Sequence, residues 1–340
     1  MPVTSPLAVP SPRLRVLLGH SGRLALLLLL SCVLAFGLLS LSPLDPIIHY
    51  LGGNLLSVSE QQRLQMAREL GLDAGFTEQL LNYLQSLANG ELGQSLVYRQ
   101  PVSEVIAERL PLSLMLMGAS WVLAMILGYV LGVMAALNPH SWLDNGIRRS
   151  AWVLASMPPF WLAMLLISVF SVSLSLTPVC CAAPLGQGFW QQSFGSMLQH
   201  LLLPVCTLTL SQLPPLILHT REKVLDILQS DYVTYARLHH RSGYQIFAKH
   251  VFGNSLKPVL ILHFASFAEL FGGSVLAETV FNFPGLGSAL VKAGLGNDAP
   301  LMMGITLFSA LFVFVGNVLA EVGSQYLQQG RLSATKGAAH

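Results

Sequence analysis

Two ionisable side chains lie inside a long apolar stretch, and they are the first candidates for chemistry. Glu269 and His263 both occur within residues 258–277. A carboxylate in apolar surroundings is costly, so it usually faces a cavity or a partner. A structural hydrogen bond is the alternative role for Glu269, and it is the favoured role for His263. On a continuous helix the two side chains would lie about 120° apart, so we expect them not to share one face and not to form a ligand pair.

The sequence lacks the motifs of an enzyme or a resident metal site. It contains no Gly-x-x-x-x-Gly-Lys-Ser/Thr phosphate loop and no His-Glu-x-x-His pair. The Gly-Leu-Gly of residues 285–287 follows a proline rather than a strand, which indicates a turn. The four cysteines lack the spacing of a zinc site or a disulfide framework. Cys180 and Cys181 have no activating charge nearby, so an inert pair is favoured over a redox-active one.

The composition excludes an ordinary soluble domain. Of the 340 residues, 53% are hydrophobic and only 10% are charged, whereas soluble domains carry about 25% charged residues. No basic patch is dense enough to suggest nucleic-acid binding. Much of the protein surface therefore faces something other than water.

Six apolar runs have about the length that a membrane helix needs. They are residues 24–41, 112–137, 151–177, 201–220, 258–277 and 301–320. The third run contains Pro158 and Pro159, and the fourth contains three prolines. The first run resembles a signal peptide in its preceding arginines, but no small-residue cleavage site follows it, so a membrane anchor is favoured.

The distribution of positive charge predicts the orientation. With a cytoplasmic N-terminus, the inside segments hold thirteen of the eighteen Lys and Arg residues. Cytoplasmic loops are generally enriched in these residues. Both termini are therefore expected in the cytoplasm, with residues 43–111 outside and the highly charged loop 221–257 inside.

Local patterns add detail to this arrangement. Residues 59–72 and 77–87 look helical, with Ser59 and Thr77 as N-cap candidates. Gly128-x-x-x-Gly132 indicates close helix packing. The segment 43–111 is therefore expected to form a small extracytoplasmic helical subdomain.

The inside loop carries the most specific pattern in the sequence. Residues 231–237 read Asp-Tyr-Val-Thr-Tyr-Ala-Arg, and His250, Asn254 and Pro258 follow at spacings of four. This pattern resembles the cytoplasmic loop of ABC importer permeases of the dipeptide, oligopeptide and nickel family. The family has a glycine at the position of His240, and histidine tolerates the left-handed conformation such a turn needs, at some cost.

Further motifs resemble the same family in the same order along the chain. They are residues 44–46, 70–73, 90–95, 101–102, 108–111, 156–162, 278–287 and 298–300. The most extended is Glu278-Thr-Val-Phe-Asn-Phe-Pro284-Gly285-Leu-Gly287, which resembles the last outside loop.

The resemblance implies an all-α integral membrane protein with the six-helix fold of type I ABC importers. The implied segments are a cytoplasmic tail 1–23, a first helix 24–42, the extracytoplasmic subdomain 43–111, a permease core 112–323 that includes the coupling loop 221–257, and a cytoplasmic tail 324–340. The implied partners are a second permease, two ATPase subunits, an extracytoplasmic binding protein and the lipid bilayer. ATP and magnesium would bind to the ATPases and not to this chain, which is then no enzyme itself.

The resemblance also assigns roles to residues. A short helix in the inside loop would dock on an ATPase, and the loop residues concerned are Asp231, Tyr232, Ala236, Arg237, His240, His250, Asn254 and Pro258. Glu269 and His263 are the candidates for the translocation pathway. Glu278, Pro284, Gly285 and Gly287 mark the outside loop. The expected location is the bacterial inner membrane.

The cargo is left open between metal and peptide. Glu269-Leu-Phe-Gly-Gly resembles nickel permeases, and a carboxylate would suit transient contact with a metal ion or a cationic chelate, so nickel is favoured over peptide. An ion-coupled secondary transporter is the alternative class, but it should show inverted repeats, and none is recognisable. An intramembrane hydrolase would need a nucleophile and a base on facing helices, and no such pair is apparent.

Overall fold

The structure is a computed structural model that describes residues 12–41, 47, 59–69, 75–184, 186 and 188–337. Among these residues the regular secondary structure is helical, with one isolated bridge between Gln94 and Pro101 and no β-strand. The motifs at residues 44–46 and 70–73 lie outside the described residues. The chain divides into two compact units, Met1–Ser103 with Ala293–Phe314 and Glu104–Lys292 with Val315–His340.

The first unit contains three helices that precede the second predicted span. They are α1 (Pro12–Ser40), α2 (Glu60–Glu69) and α3 (Phe76–Ala88). Helix α1 begins inside the segment predicted to be a tail. Ser59 caps α2 as predicted, since it accepts from the Gln62 amide at 3.3 Å and donates its own amide to the Gln62 side chain at 3.0 Å. The prediction for Thr77 is wrong, because the N-cap of α3 is Gly75, two residues earlier.

A buried aspartate joins two of the sequence motifs within the first unit. Asp298 is fully buried and accepts from the Ser95 hydroxyl at 2.6 Å, the Val97 amide at 3.0 Å and the Leu301 amide at 3.1 Å. A charged acceptor with several donors is well stabilised in a buried position. The motifs at residues 90–95 and 298–300 therefore meet in space, although about 200 residues separate them in the sequence.

Four helices continue from the second predicted span. They are α4 (Val102–Leu137), α5 (Trp142–Ser156), α6 (Pro159–Leu166), which extends as a π-helical segment over Ile167–Ser173, and α7 (Phe194–Leu228). Helices α4 and α7 are longer than the apolar runs that predicted them. The run marks only the part of a helix suited to hydrocarbon, and the helix itself continues beyond it.

The remaining helices run through the inside loop to the C-terminal segment. They are α8 (Asp231–Leu238), α9 (Gly243–Ile246) with a π-helical turn at Phe247–Val251, α10 (Phe252–Ala265), α11 (Phe267–Val280), α12 (Leu286–Leu295) and α13 (Ala299–Gly337). Helix α13 continues through most of the segment predicted to be a C-terminal tail.

Two of the predicted spans are bent. The third breaks between α5 and α6 with a bend of 106°, because Pro158 and Pro159 oppose a continuous helix. The fifth breaks at Ser266 between α10 and α11 with a bend of 55°. By length and composition, the described residues hold four helices able to cross a membrane, or six if each bent pair is one span.

Helices α4 and α7 approach each other closely at two glycines. A Cβ on Gly128 would meet the Leu216 side chain, and a Cβ on Gly132 would meet Thr220 and the backbone oxygen of Ile217. Small residues allow this approach between helix backbones. The packing role predicted for Gly128-x-x-x-Gly132 is confirmed.

Candidate functional site

The inside loop presents one helix that is anchored on one side and exposed on the other. Val233 and Ala236 of α8 are buried and join a cluster that includes Val133, Val224 and Val259. A spacing of three residues puts both anchors on the same helix face. Helix α8 is therefore held against the helical bundle by its apolar side.

The part of α8 that does not pack against the bundle carries large apolar and aromatic side chains. The exposed fractions are 44% for Tyr232, 63% for Tyr235 and 73% for Leu238, and Tyr244 on α9 is 80% exposed. Asp231 and Arg237 on α8 are also exposed. Exposed aromatic clusters of this kind are typical of surfaces that bind another protein.

His240 occupies the position where the helix needs a left-handed residue. Its φ is +52°, its amide donates to Arg237 at 3.1 Å, and the next amide, of Arg241, donates to Ala236 at 3.3 Å. These two bonds define a Schellman motif, whose left-handed residue is usually glycine. The turn expected from the family pattern is therefore retained with a histidine in the glycine position.

The rest of the loop pattern lies around the start of α10. Tyr232 contacts the His250 ring, with centroids 5.8 Å apart. The Asn254 side-chain amide donates to the His250 carbonyl oxygen at 2.8 Å. Pro258 lies inside α10 and does not break it. Helix α8 is therefore tied to the helix that leads to His263 and Glu269.

His263 is held by a reciprocal pair of hydrogen bonds. Its Nε2–H donates to the Trp121 carbonyl at 2.9 Å, and the Trp121 indole donates to the His263 carbonyl at 3.2 Å. The two rings stack with centroids 4.5 Å apart and an interplanar angle of 7°. This arrangement supports the structural role that was favoured for His263.

A cavity of about 300 Å³ lies beside the break at Ser266, and both predicted pathway residues line it. Gln212 of α7 contributes to the same wall. The expectation that His263 and Glu269 face apart assumed one continuous helix. That assumption is wrong, because the span is bent by 55° between the two residues, and both of them line this cavity.

The outside-loop residues assemble around a buried carboxylate. Glu278 is fully buried and accepts from the Ser113 hydroxyl at 2.6 Å and from the Ser288 amide at 3.0 Å. Ser113 in turn accepts from the Leu286 amide at 2.8 Å. A Cβ on Gly285 or Gly287 would fall on the Glu278 carboxyl, so both positions require glycine. The loop that contains Pro284 is thereby fastened to α4.

One buried ion pair was not found by sequence reasoning. Arg221 in the C-terminal part of α7 donates to both oxygens of Asp144, at 2.6 and 2.7 Å, and the His140 amide donates to the same carboxylate at 2.9 Å. The Asp144 side chain is fully buried and that of Arg221 is 12% exposed. No spacing rule pairs residues 77 apart, so nothing in the sequence alone indicated this contact.

The described residues contain no group of three or more His, Cys, Asp or Glu side chains able to hold a metal ion. Cys180 and Cys181 are bonded to each other as a vicinal disulfide. Sequence spacing rules for disulfide frameworks do not address such adjacent pairs. The amide of Cys181 donates to the Phe281 carbonyl at 2.8 Å, which attaches this outside segment to the end of α11.

Comparison with known proteins identifies the family to which this chain belongs. Residues 128–332 match the family described as "Binding-protein-dependent transport system inner membrane component". The oligopeptide transport system permease protein AppB of Bacillus subtilis (strain 168) is 32% identical over 85% of this chain and 90% of its own length. The di/tripeptide transport system permease protein DppB of Pseudomonas aeruginosa (strain UCBPP-PA14) is 34% identical, with 85% and 90% covered.

A solved structure shares the fold. The inward-facing MetNI methionine ABC transporter superposes with a TM-score of 0.51 at 16% sequence identity, over 65% of this chain and 97% of the solved chain. Together with the family match and the full-length relatives, this agreement in fold leads to one conclusion. The chain belongs to the family of binding-protein-dependent transport system inner membrane components, the permease subunits of ABC importers.

Proposed function

We propose that this chain forms half of the translocation pathway of an ATP-driven importer of short peptides. A second permease of the same family would supply the other half. Two ATPase subunits would bind ATP and magnesium, and an extracytoplasmic binding protein would deliver the cargo. Both termini would face the cytoplasm, in agreement with the positive charge on the inside segments.

This proposal rests on one observation, namely that α8 is buried along one face and exposes large side chains elsewhere. Val233 and Ala236 fix the helix to the bundle, while Tyr232, Tyr235 and Leu238 are left on the surface. A rigidly mounted apolar surface can bind an ATPase and transmit its movement to the bundle. Such a switch between two rigid packings is a common form of conformational coupling.

Substitutions on the exposed face test the coupling role. In the assembled complex, Tyr235→Ala combined with Leu238→Asp should reduce cargo-stimulated ATP hydrolysis by at least tenfold, because the docking surface loses its anchors. Tyr326→Ala is the matched control, since Tyr326 is 74% exposed near the cytoplasmic end of α13. Full stimulation in the double variant would refute the docking role of α8.

Peptide is the proposed cargo, in place of the nickel favoured by the sequence pattern. Relatives that cover most of this chain are named as oligopeptide and di/tripeptide permeases. The acceptor groups around Glu269 also suit the ammonium group of a peptide, because a carboxylate attracts such a cation. The metal alternative rests on the single carboxylate of Glu269.

A direct comparison of uptake decides between the two cargoes. Proteoliposomes with the complete transporter should accumulate labelled trialanine when ATP is supplied inside. They should not accumulate ⁶³Ni²⁺, free or chelated by histidine, above the level of liposomes without protein. ATP-dependent nickel uptake without peptide uptake would overturn the peptide assignment.

A further inference from the structure

The polar groups that line the cavity at the break between α10 and α11 are mainly hydrogen-bond acceptors. Its polar lining residues are Ser211, Gln212, His263, Ser266 and Glu269. The Ser211 hydroxyl donates to the Thr207 carbonyl at 2.8 Å, and the Ser266 hydroxyl donates to the His263 carbonyl at 2.9 Å. Each hydroxyl hydrogen is therefore already in use, and only the oxygen lone pairs are left to bind another group.

His263 and Gln212 add two further acceptors. The Nε2–H of His263 is used by the Trp121 carbonyl, so the neutral ring can offer only an acceptor at Nδ1. One of the two Nε2–H groups of Gln212 donates to the Leu208 carbonyl at 3.5 Å. The Oε1 of Gln212 has no hydrogen-bond partner, although the residue is only 9% exposed.

An unpaired acceptor in a buried wall is unfavourable, because the hydrogen bonds it made to water are not replaced. A bound donor would remove that cost. Glu269 adds a carboxyl group to the same lining, in the first turn of α11 and next to the positive end of the helix dipole. The cavity is thus rich in acceptors.

We propose that this cavity is a transient site for a primary ammonium group, with Glu269 and Gln212 as its principal ligands. An ammonium group has three N–H donors and no acceptor, so it complements a lining of acceptors. This inference rests on the function proposed above. With that function, the ammonium group is the amino terminus of the transported peptide. The site would hold the amino terminus of the peptide at the break between α10 and α11 during translocation.

Uptake of trialanine by proteoliposomes with the complete transporter tests the site. Glu269→Gln and Gln212→Leu should each lower the initial rate about tenfold, because the first replaces the carboxylate by a neutral amide and the second removes the amide acceptor, each at nearly constant size. Glu269→Asp keeps the carboxylate and should retain at least half of the rate. Glu104→Gln is the matched control, since Glu104 is also exposed and lies in the first turn of its helix but does not line the cavity. Rates are normalised to the amount of assembled complex.

Inhibition of uptake by small ammonium ions tests whether the site recognises N–H donors. Methylammonium chloride should inhibit wild-type uptake, whereas tetramethylammonium, which has no N–H donor, should not inhibit at the same ionic strength. Wild-type rates in both Glu269→Gln and Gln212→Leu, or equal inhibition by the two ions, would overturn the ammonium site while leaving the peptide function intact. A wild-type complex that transports no peptide would instead refute the proposed function and the site together.

Discussion

At the scale of residues, buried carboxyl groups accept hydrogen bonds from side chains and backbone amides of other segments. Glu278 and Asp298 are both fully buried carboxylates, and each accepts from serine hydroxyls and backbone amides. Buried polar groups need such partners, because they are removed from water. Both residues fall in motifs that resemble the permease family, and their common task is to fasten loop segments to helices.

The left-handed position of His240 leads to a prediction about stability. A non-glycine residue in this conformation is unfavourable by about 1–2 kcal/mol. His240→Gly should therefore raise the thermal unfolding midpoint of the purified complex and preserve transport. His240→Val should lower the midpoint, because a β-branched side chain fits this conformation poorly. Thermal unfolding followed by intrinsic fluorescence measures both, and a less stable glycine variant would contradict the assignment.

The buried pair of Asp144 and Arg221 leads to a second prediction at the same scale. Arg221→Gln leaves a buried carboxylate without its counter-ion and should destabilise the chain by about 3–5 kcal/mol. Adding Asp144→Asn should recover much of this loss, because the unpaired charge is removed.

The same helix provides the control for that experiment. Lys223 and Asp226 form an exposed pair at 3.3 Å, and such pairs contribute about 0–1 kcal/mol. Lys223→Gln should therefore leave the denaturant midpoint nearly unchanged. An effect of Arg221→Gln no larger than that of Lys223→Gln would show that the buried pair is not important for stability.

At the scale of helices, the positions of breaks were the least predictable feature. Helix α7 is continuous through Pro204, Pro214 and Pro215, whereas the fifth span breaks at Ser266, where no proline occurs. Prolines in membrane helices are tolerated when neighbouring groups satisfy the freed backbone. The break at Ser266 coincides with the packing of Trp121 against His263 and Phe267, and this is a tertiary effect that local sequence does not encode.

The close approach of α4 and α7 is tested by two glycines on one helix. Gly132→Ala should destabilise the chain by about 1–3 kcal/mol, because the new methyl group overlaps Thr220 and the Ile217 backbone. Gly118→Ala should be neutral or stabilising by up to about 1 kcal/mol, since its new methyl group would have no neighbouring atom within 4 Å. Thermal unfolding of the two variants gives the comparison, and equal effects would argue against close packing at Gly132.

At the scale of the whole molecule, the sequence predicted the class of protein better than its internal contacts. Apolar runs and charge placement indicated a multi-helix membrane protein, and the ordered motifs indicated the permease family, which the comparisons confirm. Glu269 was recognisable because acids are rare in apolar segments, and Glu278 was recognisable because it falls in a motif that resembles the permease family. The Ser113 hydroxyl that donates to Glu278 was not recognisable, because an ordinary polar residue acquires such a role only when distant helices meet.

We propose that this chain conducts its cargo and that the energy for transport comes from a separate ATPase. The most direct measurement is trialanine accumulation by proteoliposomes with the complete transporter, with ATP and an ion gradient supplied separately. Accumulation should require ATP, persist when proton and sodium gradients are dissipated, and disappear when the ATPase subunits are omitted. Accumulation driven by an ion gradient in the absence of ATP would contradict the account.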